Sequence, residues 1–508
     1  MARSAPDLAV PLLTVEEMSA WDRRAIEAVG IAEPTLMESA GRVSADLIEL
    51  LAPPGPVCVV VGAGNNGGDG LIAARTLRAR GRETWCVAAS EKTPPTGLLH
   101  GWPLEIEREM VGERIARAAV VVDAILGTGV RDAPRPAQAE VIEQINRAPG
   151  FVVALDGASG VDLATGRVPG AAVRADLTVA FGAPKVGHVR FPGRAQCGRT
   201  LAVEVGFPPL APEDFVALLI DDRWASARLP SVPPDAHKGR MGRILVVAGR
   251  RGMGGAAVMV AIAALRGGAG LVVVAGPEEN RLVVQSSVPE ALFVDRSSDA
   301  LQDEIDEADV IVAGPGMGTG DDAAEVLEHI LATEARLLLD ADALTLIAER
   351  RRNGAGLGDR ALFTPHPGEM SRLLGTGIDE VLDDPFGAAR DAAGRFGCAV
   401  LLKGSPSVVA APGHPLLVSV AGGSGLATGG TGDTLAGIAG ATMGRGADPR
   451  TAGALALTLG GRAAERAARG AGLLPRDIAE ALPAAMAGLQ PSPAPVHPAV
   501  IAEIPPPN

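Results

Sequence analysis

Short apolar runs punctuate the first two hundred residues of the chain. They cover residues 56–62, 118–126, 151–156 and 176–182, and none of them alternates between apolar and polar positions. Continuous apolar runs of this length, bounded by glycine, are typical of strands buried on both faces of a parallel sheet. The pattern therefore predicts four buried strands in this part of the chain.

Between the apolar runs lie stretches with helical periodicity. The segment TVEEMSAWDRRAIEAVG begins with a capping box, in which Thr14 is the cap and Glu17 the third helical residue. The segments LMESAGRVSADLIELL and LIAARTLRARG follow, and we expect the second of them to end at Gly81. The intervening GAGNNGGDG is predicted to be a loop. Strands that alternate with helices indicate an α/β domain with a covered parallel sheet.

The same alternation restarts after a proline-rich stretch at residues 206–234. Successive strands are predicted in RILVVAG, GLVVVAG, DVIVAGPG, RLLLDADAL, ALFTPHPGE and CAVLLKG, and most lead into loops rich in Gly, Asp, His or Lys. We therefore predict an α/β fold with two domains. Their expected bounds are residues 1–209 and 230–488, with a linker at 210–229 and a disordered proline-rich tail at 489–508.

Composition narrows the possible functions. The 508 residues exceed what one hydrophobic core usually organises, and the net charge of −14 with 3% aromatic residues argues against a nucleic-acid-binding protein. The four cysteines are far apart, which favours buried free thiols. The uncharged stretch at residues 404–432 is broken by proline and glycine, so no membrane-spanning helix is predicted. With no signal peptide recognisable, we expect a cytoplasmic enzyme.

Three strand ends of the first domain carry acid or amide side chains. Glycines at residues 62–70 let backbone amides approach an anion, whereas the amide oxygens of Asn65 and Asn66 suit a cation or a polar ligand. Asp69 is either a ligand-binding residue or a simple first-turn acid. Asp123 and Asp156 end two further strands, where aspartate commonly serves only as a cap or turn former. Their clustering at one edge of the predicted sheet favours a binding site.

The motifs GAGNNGGDGL, VDAILGTG, LDGASGVDLATG and ADLTVAFGAPKVG, in this order, resemble the NAD(P)H-hydrate epimerase family over residues 12–207. The resemblance implies a Rossmann-like three-layer αβα domain that interconverts the R and S epimers of hydrated NADH and NADPH (NADHX and NADPHX). It implies a potassium ion held by Asn66, Asp123 and Ser159, and an acid or base at Asp156. The substrate-binding residues that it implies are Asn65, Asn66, Gly67, Gly68, Asp69, Gly127, Thr128, Gly129, Val130, Arg131, Asp132, Ala133 and Asp156.

The chain departs from this family at one turn. Gly157 and Ala158 stand where the family has Ile-Pro, and the loss of proline is expected to loosen the turn between Asp156 and Ser159. Lys185, in the APKVG motif, is either a second catalytic or phosphate-facing group or an ordinary surface lysine.

In the second domain, the residues best suited to binding and catalysis are most concentrated at residues 422–434. Thr431, Gly432 and Asp433 open a helix whose free amides form an anion site. A carboxylate repels a phosphate there unless it is directed at a hydroxyl that it deprotonates, so Asp433 is predicted to be an acid/base rather than a helix cap. Lys403 ends a strand and could face a phosphate. His366 lies between two prolines that fix its backbone, which favours ligand contact.

The motifs HKGRMGRILVVAG, AGPGMGTG, TPHPGE, LLKG and ATGGTGD resemble the ADP- or ATP-dependent NAD(P)H-hydrate dehydratase family over residues 230–485. The resemblance implies a ribokinase-like fold, and a reaction in which the ring hydroxyl of the S epimer is phosphorylated and phosphate is then expelled, with Mg²⁺ carrying part of the charge. It implies that Asp433 is the catalytic acid/base. It also implies substrate contacts from Ala256, Gly318, His366 and Asp433, and nucleotide contacts from Lys403, Gly404, Ser405, Pro406, Ser407 and Gly432.

Together, the two resemblances predict a bifunctional enzyme that repairs hydrated nicotinamide cofactors with ADP, giving AMP and phosphate. Its expected partners are NADHX, NADPHX and ADP or AMP, with neither nucleic acid nor membrane, and it is expected to form a homo-oligomer. Two alternatives remain open. The second domain could be a small-molecule kinase of the ribokinase type, and the first could be a binding module without catalysis.

Overall fold

The computed structural model describes residues 9–94, 96–235, 239, 241–350, 357–489 and 495–507. It forms two compact units, residues 10–217 with 494–508 and residues 1–9 with 218–493. The division after residue 217 falls inside the segment 210–229 that was predicted to be a linker. That segment is more ordered than expected, because it contains a strand and a helix.

The first unit alternates strands and helices as its apolar runs predict. Its strands are β1 (Val10–Leu12), β2 (Val57–Val61), β3 (Thr84–Ala88), β4 (Ile106–Glu107), β5 (Val120–Ala124), β6 (Phe151–Leu155), β7 (Leu177–Phe181), β8 (Arg199–Val203) and β19 (Val500–Ile504). Its helices are α1 (Val15–Arg23), α2 (Glu33–Leu51), α3 (Asn65–Ala79), α4 (Val111–Arg117), α5 (Pro136–Arg147) and α6 (Gly193–Cys197). The predicted capping box opens α1, where Glu17 N donates to Thr14 Oγ1 and Thr14 N donates to Glu17 Oε2.

Eight of these strands form one sheet in the order β19-β8-β7-β6-β5-β2-β3-β4. All pairs are parallel except β19 with β8. Alternate residues of β2 belong to different cores, Val59 with α2 and α3 and Val60 with α4 and α5, so helices cover both faces. The strand order reverses between β2 and β5, and in such sheets ligands bind at the carboxyl ends beside the reversal.

The tail prediction is wrong for the described part of residues 489–508. Val500–Ile504 form β19, an edge strand antiparallel to β8, and Val500, Ala502 and Ile504 are buried there. The apolar alternation in VIAEI is too short to stand out beside the prolines that surround it, but it suits a half-buried edge strand.

The second unit is also α/β. Its strands are β9 (Ala217–Leu219), β10 (Arg243–Val247), β11 (Leu271–Gly276), β12 (Leu292–Asp295), β13 (Val310–Ala313), β14 (Arg336–Leu339), β15 (Ala361–Phe363), β16 (Ala399–Leu402), β17 (Ser407–Ala410) and β18 (Leu416–Ser419). Its helices are α7 (Asp222–Arg228), α8 (Gly254–Arg266), α9 (Arg281–Ser287), α10 (Ala300–Glu307), α11 (Asp321–Leu331), α12 (Ala341–Glu349), α13 (Pro367–Leu374), α14 (Ile378–Asp383), α15 (Pro385–Phe396), α16 (Thr431–Gly444), α17 (Pro449–Ala467) and α18 (Pro475–Ala487).

These strands are ordered β9-β18-β17-β16-β15-β14-β13-β10-β11-β12. The run from β16 to β12 is parallel, whereas β16, β17 and β18 form an antiparallel meander. One face packs on α8, α16, α17 and α18, and β13 is buried at every position. The α/β prediction is therefore confirmed for both units. All four cysteines are buried free thiols, as expected. Among the described residues, the helices are too short or too polar to cross a membrane.

Candidate functional site

The glycine-rich segment after β2 is mostly helical, which corrects the prediction of a loop at residues 62–70. Only residues 62–64 form the turn, and α3 begins at Asn65 with Gly64 as its cap. Gly62 is required there, because a Cβ atom would lie 1.8 Å from the carbonyl oxygen of Ile125. The sequence did not predict the start of this helix because three of the first six residues of α3 are glycine, which lowers helix propensity. The close packing of α3 against its neighbours compensates for that low propensity.

The three residues predicted to hold potassium lie together at the ends of β2, β5 and β6. Ser159 donates through its hydroxyl to Asp123 Oδ1 (2.6 Å) and through its amide to Oδ2 (2.8 Å). Asn66 Nδ2 donates to the carbonyl oxygen of Leu126 (2.9 Å), whose amide donates to Ser159 Oγ. The Asn66 Oδ1 atom is buried without a hydrogen-bond partner. An orphaned amide oxygen beside a carboxylate and a hydroxyl is a donor set that fits a hard cation.

Burial and hydrogen bonding compete at Asp123. Complete burial raises the pKa of its carboxyl to about 6, while the hydrogen bonds from Ser159 and Ile125 favour the ionised form. A bound cation would add to the second effect. The carboxylate is therefore stabilised by the same residues that would surround the ion.

Asp156 is held in an unusual conformation at the end of β6. Its φ of 61° lies in the left-handed region, which is uncommon for a residue other than glycine. The Lys185 ammonium group contacts Asp156 Oδ1 at 2.5 Å and also donates to the carbonyl oxygen of Phe181. Lys185 is only 1% exposed, so the surface-lysine interpretation is wrong. Asp156 therefore has a buried cation in direct contact with its carboxylate.

His188 contacts the backbone of both members of this pair through its ring nitrogens. Its Nδ1 accepts from the Lys185 amide (2.9 Å), so the ring proton resides on Nε2, which faces the carbonyl oxygen of Asp156 at 2.9 Å. Burial, reinforced by the charge of Lys185, lowers the pKa of His188 to about 4. The imidazole is therefore neutral and serves to fix the backbone of both neighbours. Sequence reasoning missed His188, although it follows Lys185 by only three residues.

A cavity of about 190 Å³ opens beside these groups. Its size suits one part of a dinucleotide rather than the whole molecule. The residues that line it are Met18, Ser19, Asp22, Glu33, Leu36, Met37, Ala40, Asn65, Asp69, Thr128, Asp156, Phe181, Lys185, Val205 and Phe207. Of the predicted substrate-binding residues, it includes Asn65, Asp69, Thr128 and Asp156. Asp22 and Glu33 were missed, because nothing in the helical pattern separates them from surface acids.

The other predicted substrate-binding residues of this unit lie outside the cavity lining. Gly67 and Gly68 pack tightly, since a Cβ atom would meet Gly62 O at 2.2 Å and Met37 Sδ at 2.7 Å respectively. A Cβ atom on Gly127 would lie 3.7 Å from Asp156 Oδ2, so this glycine adjoins the site. The residues that follow form its outer loop, in which Val130 is buried and Gly129, Arg131, Asp132 and Ala133 are exposed.

The turn that departs from the epimerase family is packed. A Cβ atom on Gly157 would approach Leu163 Cδ1 to 2.6 Å, so Leu163 fills the space that a larger residue would occupy. Ala158 is buried and its carbonyl oxygen accepts from the amide of Val161. This packing offsets part of the loosening expected from the loss of proline.

In the second unit, an ion pair connects two strand ends. Lys403, directly after β16, donates to Asp340 Oδ1 at 2.8 Å, and Asp340 caps α12 directly after β14. Burial opposes the charge of Lys403, but the negative charges of Asp340 and Glu369 outweigh it and raise the pKa of the ammonium group. Asp340 is 1% exposed and was missed, although RLLLD ends a predicted strand in aspartate.

Asp433 is the third residue of α16 and lies within electrostatic range of this pair. Burial and the negative charge of Asp340 raise the pKa of its carboxyl to about 7, although Lys403 acts in the opposite direction. Gly430 occupies the cap position with φ 92°, so Asp433 does not cap the helix. A Cβ atom on Gly432 would lie 3.5 Å from Lys403 Nζ, which places the ammonium group at the amino end of α16. The arrangement combines a titratable carboxyl, a cation and free helix amides.

His366 has a structural role besides any contact with a ligand. It caps α13, where its Nδ1 accepts from the amides of Gly368 (3.0 Å) and Glu369 (3.3 Å). Its side chain is nonetheless 52% exposed and adjoins the site, because the Lys403 amide donates to the carbonyl oxygen of Pro365.

The remaining predicted residues lie near the same edge of the sheet. Gly318 N donates to Asp342 Oδ2 (2.8 Å), and a Cβ atom on Gly316 would lie 3.3 Å from that of Ala256. The turn after Lys403 is closed by Ser407, whose hydroxyl donates to the carbonyl oxygen of Gly404. Within that turn, Gly404 and Ser405 are exposed and Pro406 is buried. The motif residues His237 and Lys238 lie outside the described residues.

Another cavity of the second unit, of about 740 Å³, lies elsewhere. Its lining includes Asp309, which precedes β13, Arg336, which begins β14, and Arg445, which follows α16. These positions mark the amino ends of the parallel strands, away from Asp433 and Lys403. Because open α/β sheets bind ligands at the carboxyl ends, the chemistry of the Asp433 cluster outweighs the size of this cavity.

Comparisons with known proteins agree with this division of the chain. A model described as YjeF-related protein N-terminus matches residues 33–187, and one described as NAD(P)H-hydrate dehydratase matches residues 244–484. Two solved structures resemble the second unit. A ribokinase-like superfamily protein from Enterococcus faecalis is 27% identical with a TM-score of 0.51, covering 56% of this chain and all of that one. A hypothetical protein from Streptococcus mutans is 29% identical with a TM-score of 0.50, covering 53% and 99%.

Relatives also match along nearly the whole chain. The bifunctional NAD(P)H-hydrate repair enzyme Nnr of Moorella thermoacetica is 34% identical over 94% of this chain and 97% of its own length. The Escherichia coli enzyme of the same name is 34% identical over 89% of this chain and 88% of its own. These matches confirm the predicted family and disfavour the kinase alternative. The chain therefore belongs to the bifunctional NAD(P)H-hydrate repair enzymes, with a ribokinase-like second unit.

Proposed function

We propose that the chain repairs hydrated nicotinamide cofactors in two steps, epimerising R- and S-NAD(P)HX in the first unit and dehydrating the S epimer in the second. The observation that carries the proposal is the Asp433 cluster. A carboxyl with a pKa of about 7, beside Lys403 and the amino end of α16, suits proton transfer next to a phosphate.

In the second unit, Asp433 would remove the proton from the ring hydroxyl as that oxygen attacks the terminal phosphoryl group of ADP. Lys403 and the amides at Gly432 would bind the nucleotide phosphates, and residues 404–407 would contact the rest of the nucleotide. Mg²⁺, when bound to those phosphates, would neutralise part of their charge. Phosphate would then leave with the electrons of the C–O bond, and loss of a proton from the adjacent ring carbon would restore the double bond of NAD(P)H. Ala256, Gly318 and His366 would contact the hydrated ring.

In the first unit, Asn66, Asp123 and Ser159 would hold a potassium ion that supplies a fixed positive charge near the substrate. The orphaned Asn66 Oδ1 atom supports this assignment. Asp156 would act as the acid/base, because it lines the cavity and its carboxylate contacts the buried ammonium group of Lys185. Asn65, Asp69 and Thr128 would bind the ring in the same cavity. A role limited to binding would not need this buried charged pair.

The recovery of reduced nicotinamide from purified S-NADHX, with and without ADP, tests the proposal. ADP-dependent recovery by the wild-type chain, lost in Asp433→Asn, is the expected result. Phosphorylation of a sugar alcohol or a pyrimidine without recovery of NADH would instead identify a kinase. The same assay with ATP, and with NADPHX in place of NADHX, settles both substrate preferences. Our predictions of a cytoplasmic homo-oligomer that binds neither nucleic acid nor membrane call for separate measurements.

A further inference from the structure

Two aspartates of the first unit line one cavity from different elements of the fold. Asp69 lies in α3, which follows β2, and Asp156 directly follows β6. Both aspartates line the cavity, and β5 lies between β2 and β6 in the sheet. A planar ring bound between the two side chains would present one face to each carboxyl group.

The surroundings of the two carboxyl groups differ sharply. Asp156 contacts the buried ammonium group of Lys185 and accepts from the amide of Phe181 (3.3 Å). Asp69 is 8% exposed, and no hydrogen bond or ion pair joins its carboxyl to another described residue. A buried carboxyl group without a cation favours its protonated form, and Asp156, unlike Asp69, has a cation in direct contact.

The remaining charged groups around the cavity strengthen this difference. Asp22 of α1 and Glu33 of α2 also line it, and Lys185 is the cation nearest to Asp156. Burial, followed by the charges of Asp156, Asp22 and Glu33, raises the pKa of Asp69 well above its ordinary value. Two acids whose environments separate their protonation states are the usual arrangement for paired acid and base catalysis.

The proposed epimerisation needs such a pair. In a hydrated dihydronicotinamide, water has added across an enamine, so the hydroxyl-bearing carbon is bonded to the ring nitrogen. Cleavage of its C–O bond, assisted by the nitrogen lone pair, gives a planar iminium ion. Inversion then requires one group to protonate the departing hydroxyl on one face and another to deprotonate water on the opposite face.

We propose that Asp69 is a second catalytic residue of the epimerase, which donates a proton on one face of the ring while Asp156 accepts one on the other. The inference rests on the epimerase function proposed above. In the forward step, the Asp69 proton goes to the hydroxyl oxygen, the C–O bond breaks, and water departs. A second water molecule forms the new C–O bond and gives its proton to Asp156, while the C=N electrons return to nitrogen.

After one inversion, Asp69 is ionised and Asp156 is protonated, so the enzyme is set for the reverse epimer. Transfer of the proton through cavity water restores the starting state, and the overall reaction neither consumes nor produces water. The iminium ion lies between two carboxylates, which stabilise its charge.

The test compares Asp69→Asn with the matched control Asp46→Asn, an aspartate of α2 that pairs with Arg80 and does not line the cavity. Interconversion of purified R-NADHX is followed without ADP. Asp69→Asn should lose at least about a hundredfold in rate, and Asp46→Asn should match the wild type. ADP-dependent dehydration of S-NADHX by each variant reports whether the chain is folded.

A second measurement needs no variant. When the wild type works in H₂¹⁸O, each inversion should place one solvent oxygen in the ring hydroxyl, and work in D₂O should place no deuterium on the hydroxyl-bearing carbon. Inversion with the original oxygen retained, or full activity in Asp69→Asn, would overturn the inference while leaving the epimerase function intact. A wild type that does not accelerate interconversion would instead refute the epimerase function.

Discussion

Replacing Asp433 with asparagine should stabilise the second unit while it abolishes dehydration. The wild-type carboxyl is unfavourable when ionised, because burial and the charge of Asp340 raise its pKa from 3.8 to about 7. A displacement of this size corresponds to about 4 kcal/mol. Because the side chain remains partly exposed, solvent screening reduces the effect, and we expect about 2 kcal/mol of it to be measurable.

The sign of the effect follows from proton binding. Between pH 3.8 and about 7, the unfolded chain has lost the Asp433 proton while the folded chain retains it. Folding therefore binds a proton in this interval, and the stability of the wild type falls as the pH rises through it. Above a pH of about 7 both states are ionised and the full cost is present. Asparagine does not titrate, so the stability gained by the variant grows with pH.

Thermal unfolding at pH values of about 5 and about 8.5 measures this difference. The transition to follow is the one that ADP shifts, because the two units need not unfold together. At the higher pH the Tm of Asp433→Asn should exceed that of the wild type by about 4–8 °C, and at the lower pH by less than half of that. The control is Asp391→Asn, an exposed aspartate of α15. An Asp433→Asn difference that does not change with pH would refute the electrostatic account.

Four further changes test other parts of the structure. Lys403→Met should raise the pKa of Asp433 above about 7, moving the acidic limb of the dehydration pH profile upward, and should cost about 3–5 kcal/mol by leaving Asp340 buried and unpaired. Lys185→Met should slow epimerisation, because it removes the cation that contacts Asp156, with dehydration unchanged. Replacing potassium with lithium should slow epimerisation in the wild type and have no effect in Asn66→Leu, which a titration with each salt would measure. Gly314→Ala should lower the Tm of the second unit sharply, because the new Cβ would lie 1.8 Å from the carbonyl oxygen of Asp340.

Each of these has a contrary outcome. An unchanged dehydration pH profile in Lys403→Met would mean that this ammonium group does not control Asp433. An unchanged epimerisation rate in Lys185→Met would mean that the contact with Asp156 does not matter for the reaction. Equal rates in both salts would remove the cation site, and a fully stable Gly314→Ala would mean that the turn after β13 can shift.

Four strands of the first unit, β2, β5, β6 and β7, could be predicted because each lies in a continuous apolar run. Asp123 and Asp156 could be predicted to lie at strand ends from their positions in those runs. What could not be predicted were pairings between distant residues. Lys185 lies 29 residues from Asp156, and no periodicity in the sequence relates the two. Its burial distinguishes it from a surface lysine, and burial of a single residue in a loop leaves no pattern.

The second unit gives the same lesson at Lys403. The sequence indicated a phosphate-facing cation at a strand end, but its partner Asp340 lies 63 residues away and emerges only from the order of strands in the sheet. Conversely, the family motifs could single out Asp433 as a candidate, because the glycines around it are local signals. Groups of reactive residues that are close in the sequence could therefore be predicted, whereas ion pairs between residues far apart in the chain could not.

The pairing of β19 with β8 has a consequence for biosynthesis. Residues 218–493 of the second unit lie between these strands in the chain, so β19 leaves the ribosome only after that unit has been made. Until then, the hydrogen-bonding edge of β8 has no neighbour on that side and is open to pairing with other nascent chains. The first catalytic unit is thus the first to begin folding and the last to be completed.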